Sequence, residues 1–291
     1  MINRTTRERI DALLDTYRDL ATRQPEALHQ IALTELAETV QQSNAIENST
    51  LTLGETEQVL AGRLPSGHHD LREIYEARNL AAVTTDLVAN TEPLSTDLIL
   101  RWHRMLLAGI RDDAAGRFRR AGEWARVSNH LGANPELVSG LISDALVRYR
   151  DDITSSPLDA IARFHCEFEV IHPFVDRNGR IGRVLINKQL QDAGLPPVIV
   201  RAKNRHTDYY PLLDRYATTD AHDGMTRLLA LLLLESLHKR LALITSPRVV
   251  RLADWARANG VRGNVATNKA KRQTIPAFRL RDRWMIAEDY R

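Results

Sequence analysis

Residues 171–186 have the sequence IHPFVDRNGRIGRVLI, and this stretch decides how the rest of the chain is interpreted. An apolar helix is predicted over residues 157–171, and a second helix is predicted to begin near Asn178, because apolar residues recur at helical spacing from Ile181 onward. A tight turn joins the two helices. The first turn of the second helix leaves backbone N–H groups without partners, and the positive end of its dipole points at the turn.

The turn carries the residue types that an anionic ligand needs. Phosphate favours the start of a helix, and Gly179 lets the backbone approach a phosphate closely. Arg180 and Arg183 lie on one helix face, where both can bind a polyphosphate through charge-assisted hydrogen bonds. Asp176 is suited to hold a Mg²⁺ ion that the same phosphates coordinate, and His172 can take a proton from an attacking hydroxyl. The pattern predicts a site of phosphoryl or nucleotidyl transfer.

The same stretch resembles the Fic motif, whose usual form is HPFx(D/E)GNGRxxR, since residues 172–183 read HPFVDRNGRIGR. Two further segments are similar to that family: AIARFHCEFEVI at 160–171 and NRHTDYYPLL at 204–213. The resemblance covers about residues 30–245. It implies an all-α fold, a Fic-type helical bundle with a short β-hairpin flap formed by residues 116–129.

The resemblance also implies an activity and a role for each motif residue. The activity is transfer of AMP from ATP, with Mg²⁺ bridging the α- and β-phosphates, to a Ser, Thr or Tyr hydroxyl of a protein. The flap is expected to hold a target segment by strand-like pairing, and Phe174 to fix the turn from the core. The implied roles are general base for His172, Mg²⁺ ligand for Asp176, anion nest for Asn178 and Gly179, and β- and γ-phosphate contacts for Arg180 and Arg183.

Position 177 departs from the family pattern, because the family usually has glycine there and this chain has Arg177. If the position needs a positive φ or close approach of a phosphate, an arginine strains or crowds it. If the backbone there is ordinary, Arg177 adds a phosphate contact or faces solvent.

A second motif, SNAIEN at residues 43–48, resembles the Fic inhibitory motif (S/T)xxxE(G/N) through Ser43, Glu47 and Asn48. Ser43 and Glu47 share a face when both are helical. The resemblance implies that the Glu47 carboxylate pairs with Arg183 and takes the place of the γ-phosphate, which leaves ATP only a non-productive pose. In some relatives the same glutamate supports removal of AMP, so the reverse reaction stays open.

The composition and the positions of glycine and proline residues indicate a helical chain in three parts. Aromatic residues make up only 5% of the sequence, while Leu and Ala are frequent, which favours helix over sheet. The predicted domains are an N-terminal helical region with the inhibitory helix (1–92), the catalytic core (93–245) and a C-terminal module (246–291). Helices are predicted over residues 4–21, 25–43, 51–62, 70–90, 95–108, 135–151, 157–171, 179–193, 205–218 and 222–245.

The sequence also bears on location and association. A single cysteine, Cys166, fits a reducing compartment, and the N-terminal residues lack an apolar signal core, so we expect a cytoplasmic protein. The apolar run 228–234 is too short and too quickly followed by charge to cross a bilayer. It is interpreted as a buried helix or, continued to Leu243, as the interface of a homodimer. His165 and Cys166 are expected to be packed core residues.

The C-terminal module is basic, with eleven Lys and Arg but four Asp and Glu from Arg248 to Arg291. A helix, a glycine-containing turn, a basic helix and an alternating hairpin (275–286) form the layout of a DNA-reading module. It resembles the excisionase-like winged helix-turn-helix, with Trp255 and Trp284 in its small core. The residues expected to face DNA are Asn264, Asn268, Lys269 and Arg272. The alternative is a protein-docking module with a solvated basic face.

The leading hypothesis is therefore an auto-inhibited protein adenylyltransferase that is tethered to DNA or directed by it and that acts on another protein or on itself. One rival is a DNA-binding transcriptional regulator whose Fic body binds nucleotide without turnover, with Arg177 as the impairing residue. A second rival is a phosphotransferase or a de-adenylylating hydrolase. Gly179 favours nucleotidyl transfer, because the family's kinase branch carries lysine at that position.

Overall fold

The computed structural model describes residues 2–127 and 130–290, and within them twelve α-helices dominate. The ten helices predicted over residues 4–245 are present, with ends close to those predicted, and the all-α prediction is confirmed. The α-helices are α1 (Arg4–Arg23), α2 (Pro25–Ile46), α3 (Leu53–Leu60), α4 (Leu71–Ala89), α5 (Thr96–Leu107), α6 (Val138–Asp152), α7 (Pro157–Ile171), α8 (Asn178–Asp192), α9 (Tyr210–Thr219), α10 (Asp223–Thr245), α11 (Leu252–Ala258) and α12 (Gly263–Lys271).

Local sequence explains where several helices begin. The Thr52 hydroxyl accepts a hydrogen bond from the backbone N–H of Glu55 while the Glu55 side chain bonds back, a complete capping box for α3. Asp70 and Ser95 cap α4 and α5 through their side-chain oxygens. A one-turn π-helix, Arg205–Tyr209, precedes α9.

The chain divides into two compact units. The first contains residues 36–194 and 199–228, and the second contains residues 2–35, 195–198 and 229–291. The boundaries fall inside α2 and α10, which therefore each contribute to both units. This grouping by contact differs from the three predicted segments, which stay a prediction of where separate functions lie.

In the first unit, α7 packs against both α6 and α8. Phe164 and Phe168 of α7, Trp102 of α5 and Leu185 of α8 are almost completely buried in its core. Burial of a large apolar side chain contributes about 1.5–3 kcal/mol, so these contacts fix the relative placement of α7 and α8. The turn between these two helices is held between well-packed elements.

The predicted flap is present but smaller than expected. Strands β1 (Arg126–Val127) and β2 (His130–Leu131) form an antiparallel pair in which Arg126 is opposite Leu131. Residues 116–125, which were predicted to belong to the hairpin, form turns and irregular backbone. Ser128 and Asn129, also part of that prediction, lie outside the described residues.

The second unit contains a three-stranded antiparallel sheet of order β3-β5-β4, built from β3 (Val249–Arg251), β4 (Phe278–Leu280) and β5 (Arg283–Ala287). Its core includes the residues predicted to face inward, Leu252, Trp255 and Ala256, and Trp284 packs against them. In α10, Leu229, Leu233 and Leu237 are buried, as the buried-helix interpretation predicts. Among the described helices, none combines the length and apolar character needed to cross a membrane.

Candidate active site

The turn between α7 and α8 is held by its own side chains. His172 ends α7 with a left-handed φ of 52°, and its N–H donates to Phe168 O at 2.9 Å. Phe174 is fully buried and stacks on His103 with 3.6 Å between ring centroids, as its predicted structural role requires. Asn178 braces the turn, because its Oδ1 accepts from Phe174 N–H and its Nδ2 donates to Phe174 O, both at 2.8 Å. The Asn178 side chain therefore holds the turn, and its place in an anion nest stays a prediction.

His172 has the protonation state of a general base. Its Nδ1 lies 3.2 Å from Glu169 O, and since a carbonyl oxygen only accepts, Nδ1 carries the hydrogen. The unprotonated Nε2 therefore holds a lone pair. Burial lowers the pKa of His172 to about 4, so the imidazole is neutral near pH 7 and can accept a proton.

Arg119 supports this histidine, and the sequence did not single it out. Its buried guanidinium donates to four backbone carbonyls, those of His172 at 2.8 Å, Ile171 at 3.1 Å, Ala133 at 2.6 Å and Glu123 at 2.9 Å. Burial lowers the pKa of Arg119. Nothing in the local sequence distinguishes it from its arginine neighbours, since its partners are backbone carbonyls, which every residue carries.

Arg183 is held by the predicted inhibitory motif. Its Nε donates to Ser43 Oγ at 2.9 Å, and its Nη2 donates to Ser43 O at 2.8 Å and to Glu47 Oε1 at 2.9 Å. Burial alone would raise the pKa of Glu47, but the positive charges of Arg183 and Arg180 lower it. Burial likewise opposes the charged form of Arg183, yet Glu47 raises its pKa overall. The pair is therefore ionised.

Glu47 also covers the start of α8. A Cβ atom at Gly179 would clash with Glu47 Oε1, so the carboxylate lies directly against the helix start, where an anion is favoured. Contrary to the helical expectation, α2 ends at Ile46 and Glu47 lies in the turn that follows. Asn48 continues this turn with a φ of 68°, and its Oδ1 accepts from Arg205 Nη2 at 2.9 Å.

His172 and Arg183 line one cavity. Its volume is about 520 Å³, and Glu47 and Gly179 form part of its wall. His165, predicted to be a core residue, is buried behind it and bonds Tyr209 Oη at 2.7 Å. The cavity is also lined by Arg126, His130, Glu169, Val170, His206, Tyr209, Tyr210, Pro211, Leu213 and Asp214.

A second polar cavity, of about 360 Å³, adjoins the motif arginines. Glu76 of α4, which the sequence did not single out, is its buried anchor. Glu76 accepts from Arg72 Nε at 2.9 Å, Arg177 Nη2 at 2.5 Å and Arg180 Nη2 at 2.8 Å. Arg180 also donates to Asn44 Oδ1 at 2.7 Å, and burial lowers the pKa of Arg180 to about 10.

Arg177 sits in the conformation that glycine would favour. Its φ is 68°, and it forms the N-cap of α8. The interpretations that give it an ordinary backbone or a solvent-facing side chain are wrong, because only 3% of its side chain is exposed. A left-handed conformation costs a non-glycine residue about 1–2 kcal/mol. The ion pairs with Glu76 and Asp176 offset this strain.

Comparison with known proteins identifies part of this architecture. Residues 93–190 match the sequence profile of the Fic/DOC family, and the stretch includes the whole turn from His172 to Arg183. Residues 93–190 are a Fic/DOC family domain. A protein adenylyltransferase Fic of Nematostella vectensis is 35% identical over 182 residues, which cover 60% of this chain and 41% of that protein.

Two solved Fic structures share the fold. A Fic family protein from Desulfovibrio desulfuricans G20 superposes with a TM-score of 0.72 at 26% identity, covering 97% of this chain and 86% of that one. Residues 134–508 of Fic-1 from Caenorhabditis elegans give a TM-score of 0.71 at 27% identity, covering 83% and 72%. The chain spans less than half the length of the Nematostella relative.

The Fic domain does not present Asp176 as an open metal ligand. Asp176 Oδ1 accepts from both N and Nη1 of Arg177, each at 2.8 Å, and Oδ2 accepts from Arg72 Nη2 at 3.0 Å. An ionised carboxylate has about four acceptor positions, so only one stays open. Within residues 2–127 and 130–290, no group of three or more His, Cys, Asp or Glu could hold a metal ion. The one open position lies beside the guanidinium groups of Arg72 and Arg177, which oppose a cation, so in this arrangement the residues do not fit a metal at Asp176.

Outside the Fic domain, the residues predicted to contact DNA share one short segment. Asn264, Asn268 and Lys269 lie on α12, Arg272 is its C-cap, and all four are exposed. Arg272 and Lys269 add positive charge at the helix end. Their role in binding stays a prediction.

Proposed function

We propose that this chain transfers AMP from ATP to a hydroxyl group of a protein and that Glu47 holds it in an inhibited state. One observation carries the proposal: the His172 imidazole and the Arg183 guanidinium line the same cavity, and the Glu47 carboxylate lies against the helix start between them. The Fic relatives named as protein adenylyltransferases support the same activity.

The chemistry follows from the side chains present. His172 Nε2 takes the proton of the target Ser, Thr or Tyr hydroxyl, whose oxygen attacks the α-phosphorus of ATP. A new P–O bond forms to the target, the bond from the α-phosphorus to the bridging oxygen breaks, and pyrophosphate leaves. The N–H groups at the start of α8, Arg180 and Arg183 stabilise the charge on the leaving pyrophosphate. The base and these cations supply positioning and electrostatic stabilisation.

Inhibition follows from the position of Glu47. A carboxylate paired with Arg183 and placed on the helix start takes a place that favours a phosphate group, so ATP and Glu47 compete for the same donors. Displacement of Glu47 frees Arg183 Nη2 and uncovers the start of α8 for the polyphosphate. The same carboxylate could orient a water for removal of AMP, which keeps the reverse reaction within the proposal.

The resemblance implies magnesium as the partner of ATP, but the residues at Asp176 do not fit a metal in this arrangement, and no step above depends on one. Two predictions complete the proposal: a cytoplasmic location and a homodimer through residues 228–243. The target of modification is a protein, either another chain or a second copy of this one.

The test is incubation with α-labelled and with γ-labelled ATP in a host lysate. The variants are wild type, Glu47→Gly, Glu47→Gln and the double variant Glu47→Gly/His172→Ala. Glu47→Gln keeps the shape but removes the charge that pairs with Arg183. We expect protein-bound α-label to rise at least about tenfold in Glu47→Gly, to rise less in Glu47→Gln, and to be lost in the double variant.

Other outcomes favour the rivals. Label from the γ-position on protein would indicate phosphotransfer. Loss of label from a pre-labelled target would indicate a hydrolase. ATP binding by Glu47→Gly without any labelling would support a regulator that binds nucleotide without turnover.

We further propose that residues 246–291 bind double-stranded DNA. A helix pair, α11 and α12, is followed by the hairpin β4–β5, and α12 carries exposed amide and basic side chains. This order supports the winged helix-turn-helix interpretation. The module should be tested within the full chain, because Gln273 Oε1 bonds His238 Nδ1 at 2.8 Å and Arg279 pairs with Glu235 at 2.7 Å in α10.

A further inference from the structure

The strongest unexplained feature is the ion-pair network around Arg177. Its Nη1 and backbone N–H both bond Asp176 Oδ1 at 2.8 Å, and its Nη2 bonds Glu76 at 2.5 Å. The side chains of Arg177 and Glu76 are exposed by only 3% and 7%. The guanidinium is therefore a fixed part of the site.

Arg177 occupies the face of Asp176 that a metal ion would need. The backbone N–H and the guanidinium Nη1 of Arg177 together fill both acceptor positions of Oδ1, and the guanidinium places positive charge beside it. Mg²⁺ demands near-octahedral oxygen ligands and gives up its water reluctantly. To bind Oδ1, the ion would have to displace a charge-assisted pair and approach another cation.

Glu76 keeps Arg177 in this place. The Glu76 carboxylate holds Arg72, Arg177 and Arg180 together, and Arg72 also reaches Asp176 Oδ2. Moving Arg177 away would break its buried ion pair with Glu76 and its partly exposed pair with Asp176. Breaking a buried pair by removing one partner costs about 3–5 kcal/mol, so the network resists such a movement.

The charge balance indicates what the network is for. Within the ion-pair network, four guanidinium groups, of Arg72, Arg177, Arg180 and Arg183, face three carboxylates, of Glu47, Glu76 and Asp176. Asp70 and Glu73 also line the cavity, but they accept from backbone and hydroxyl groups outside this network. When Glu47 leaves, the network carries two positive charges in excess, and with glycine at position 177 it would carry one. Arg177 Nε and Arg183 Nη1 are buried donors without a hydrogen-bond partner among the described residues. The site is therefore prepared to receive negative charge.

On the basis of the proposed ATP-dependent function, we infer that Arg177 supplies the positive charge that a divalent cation supplies in other ATP sites. ATP then binds this chain without a divalent cation. The polyphosphate at the start of α8 is neutralised by the guanidinium groups of this network, those of Arg177, Arg180 and Arg183. Asp176 then serves to hold Arg177 in place and is not a metal ligand.

The experiment measures the affinity of α,β-methylene ATP by titration calorimetry, in excess EDTA and in millimolar MgCl₂. This analogue cannot transfer AMP, so binding is separated from chemistry. The proteins carry Glu47→Gly, alone, with Arg177→Gly, or with Arg281→Gly. Arg281 is a matched control because it also has a positive φ, of 50°, and the substitution removes one positive charge in the second unit.

We expect the dissociation constant of Glu47→Gly to agree within about threefold between the two buffers. For Glu47→Gly/Arg177→Gly we expect it to be at least about tenfold weaker in EDTA, while the Arg281 control follows its parent. Glycine is unstrained at position 177, and a thermal melt checks that this variant is folded. The comparison of the two buffers for Glu47→Gly is decisive even without the Arg177 variant.

Three results would overturn the inference. If Glu47→Gly binds at least about tenfold more weakly in EDTA, Arg177 does not replace the cation, while the proposed transferase is unaffected. If the Arg177→Gly variant also binds equally in both buffers, the charge comes from elsewhere. If Glu47→Gly binds the analogue in neither buffer, the inference and the proposed function both fail.

Discussion

Glu47 Oε1 accepts a hydrogen bond from Arg183 Nη2 at 2.9 Å across 136 positions of sequence. This pair joins the turn after α2 to the start of α8, and Ser43 adds two further contacts to the same guanidinium. The contact is thus a small network in which one arginine is held by a carboxylate, a hydroxyl and a carbonyl. Its strength should be adjustable by removing one partner at a time.

The first prediction concerns Ser43. Replacement by alanine removes the hydroxyl that accepts from Arg183 Nε but keeps the carbonyl and Glu47. A hydrogen bond to a charged group contributes about 1.5–3 kcal/mol, so the inhibited state should weaken without being abolished. We expect α-label incorporation between that of wild type and Glu47→Gly. Ser143→Ala is the control, because that hydroxyl bonds only a carbonyl of its own helix. Equal labelling in the Ser43 and Ser143 variants would contradict the prediction.

The second prediction concerns pH and Glu169. Burial raises the pKa of this carboxyl from 4.5 to about 8. The folded state holds the Glu169 proton more tightly than the unfolded chain does, and this stabilises the folded state. The stabilisation is complete below about pH 4.5 and is lost as the pH rises to about 8. The loss is about 1.4 kcal/mol for every unit between the two pKa values. Glu169→Gln cannot ionise. As the pH rises from about 4.5 to about 8, its melting temperature should therefore increase relative to that of wild type.

The comparison isolates Glu169 from other titrations. His172, with a pKa lowered to about 4, makes stability rise with pH below about 6.5 in both proteins, so its effect cancels. Glu167→Gln is the control on the same helix, since that carboxylate pairs with Arg148. A constant difference in melting temperature between Glu169→Gln and wild type from pH 5 to pH 9 would refute the assignment.

The third prediction concerns Arg119. Lysine keeps the charge but cannot reach all four carbonyls at once, since its ammonium lacks the planar fork of arginine. Buried carbonyls left without a donor cost about 1–3 kcal/mol. We expect Arg119→Lys to lower the free energy of unfolding in urea by that amount, and to lower labelling in the Glu47→Gly background because His172 is less well held. Arg120→Lys, at an exposed neighbour, should change neither.

Much of the fold was predictable because its signals are local. The helical periodicity of apolar residues and the positions of glycine and proline predicted the helices. The turn with its phosphate-binding residues could be predicted because they all lie in one continuous stretch of sequence. Glu76 and Arg119 were not, because each acts on groups distant in sequence and carries no local mark. The backbone of Arg177 was also undecided, since a positive φ at a non-glycine residue depends on tertiary ion pairs that compensate it.

The last prediction concerns DNA binding by the second unit. Lys269 and Arg272 are exposed at the end of α12, and each phosphate that a basic side chain neutralises contributes about 0.9 to the slope of log K against log salt. The full-length Lys269→Ala/Arg272→Ala variant should therefore bind duplex DNA more weakly and with a shallower salt dependence. Arg248→Ala, which removes an exposed arginine paired with Glu288, is the control and should leave the slope unchanged. Fluorescence anisotropy over a salt series measures both quantities. If wild type binds no duplex at low salt, the basic face has another partner, and the protein-docking alternative becomes the better account of α12.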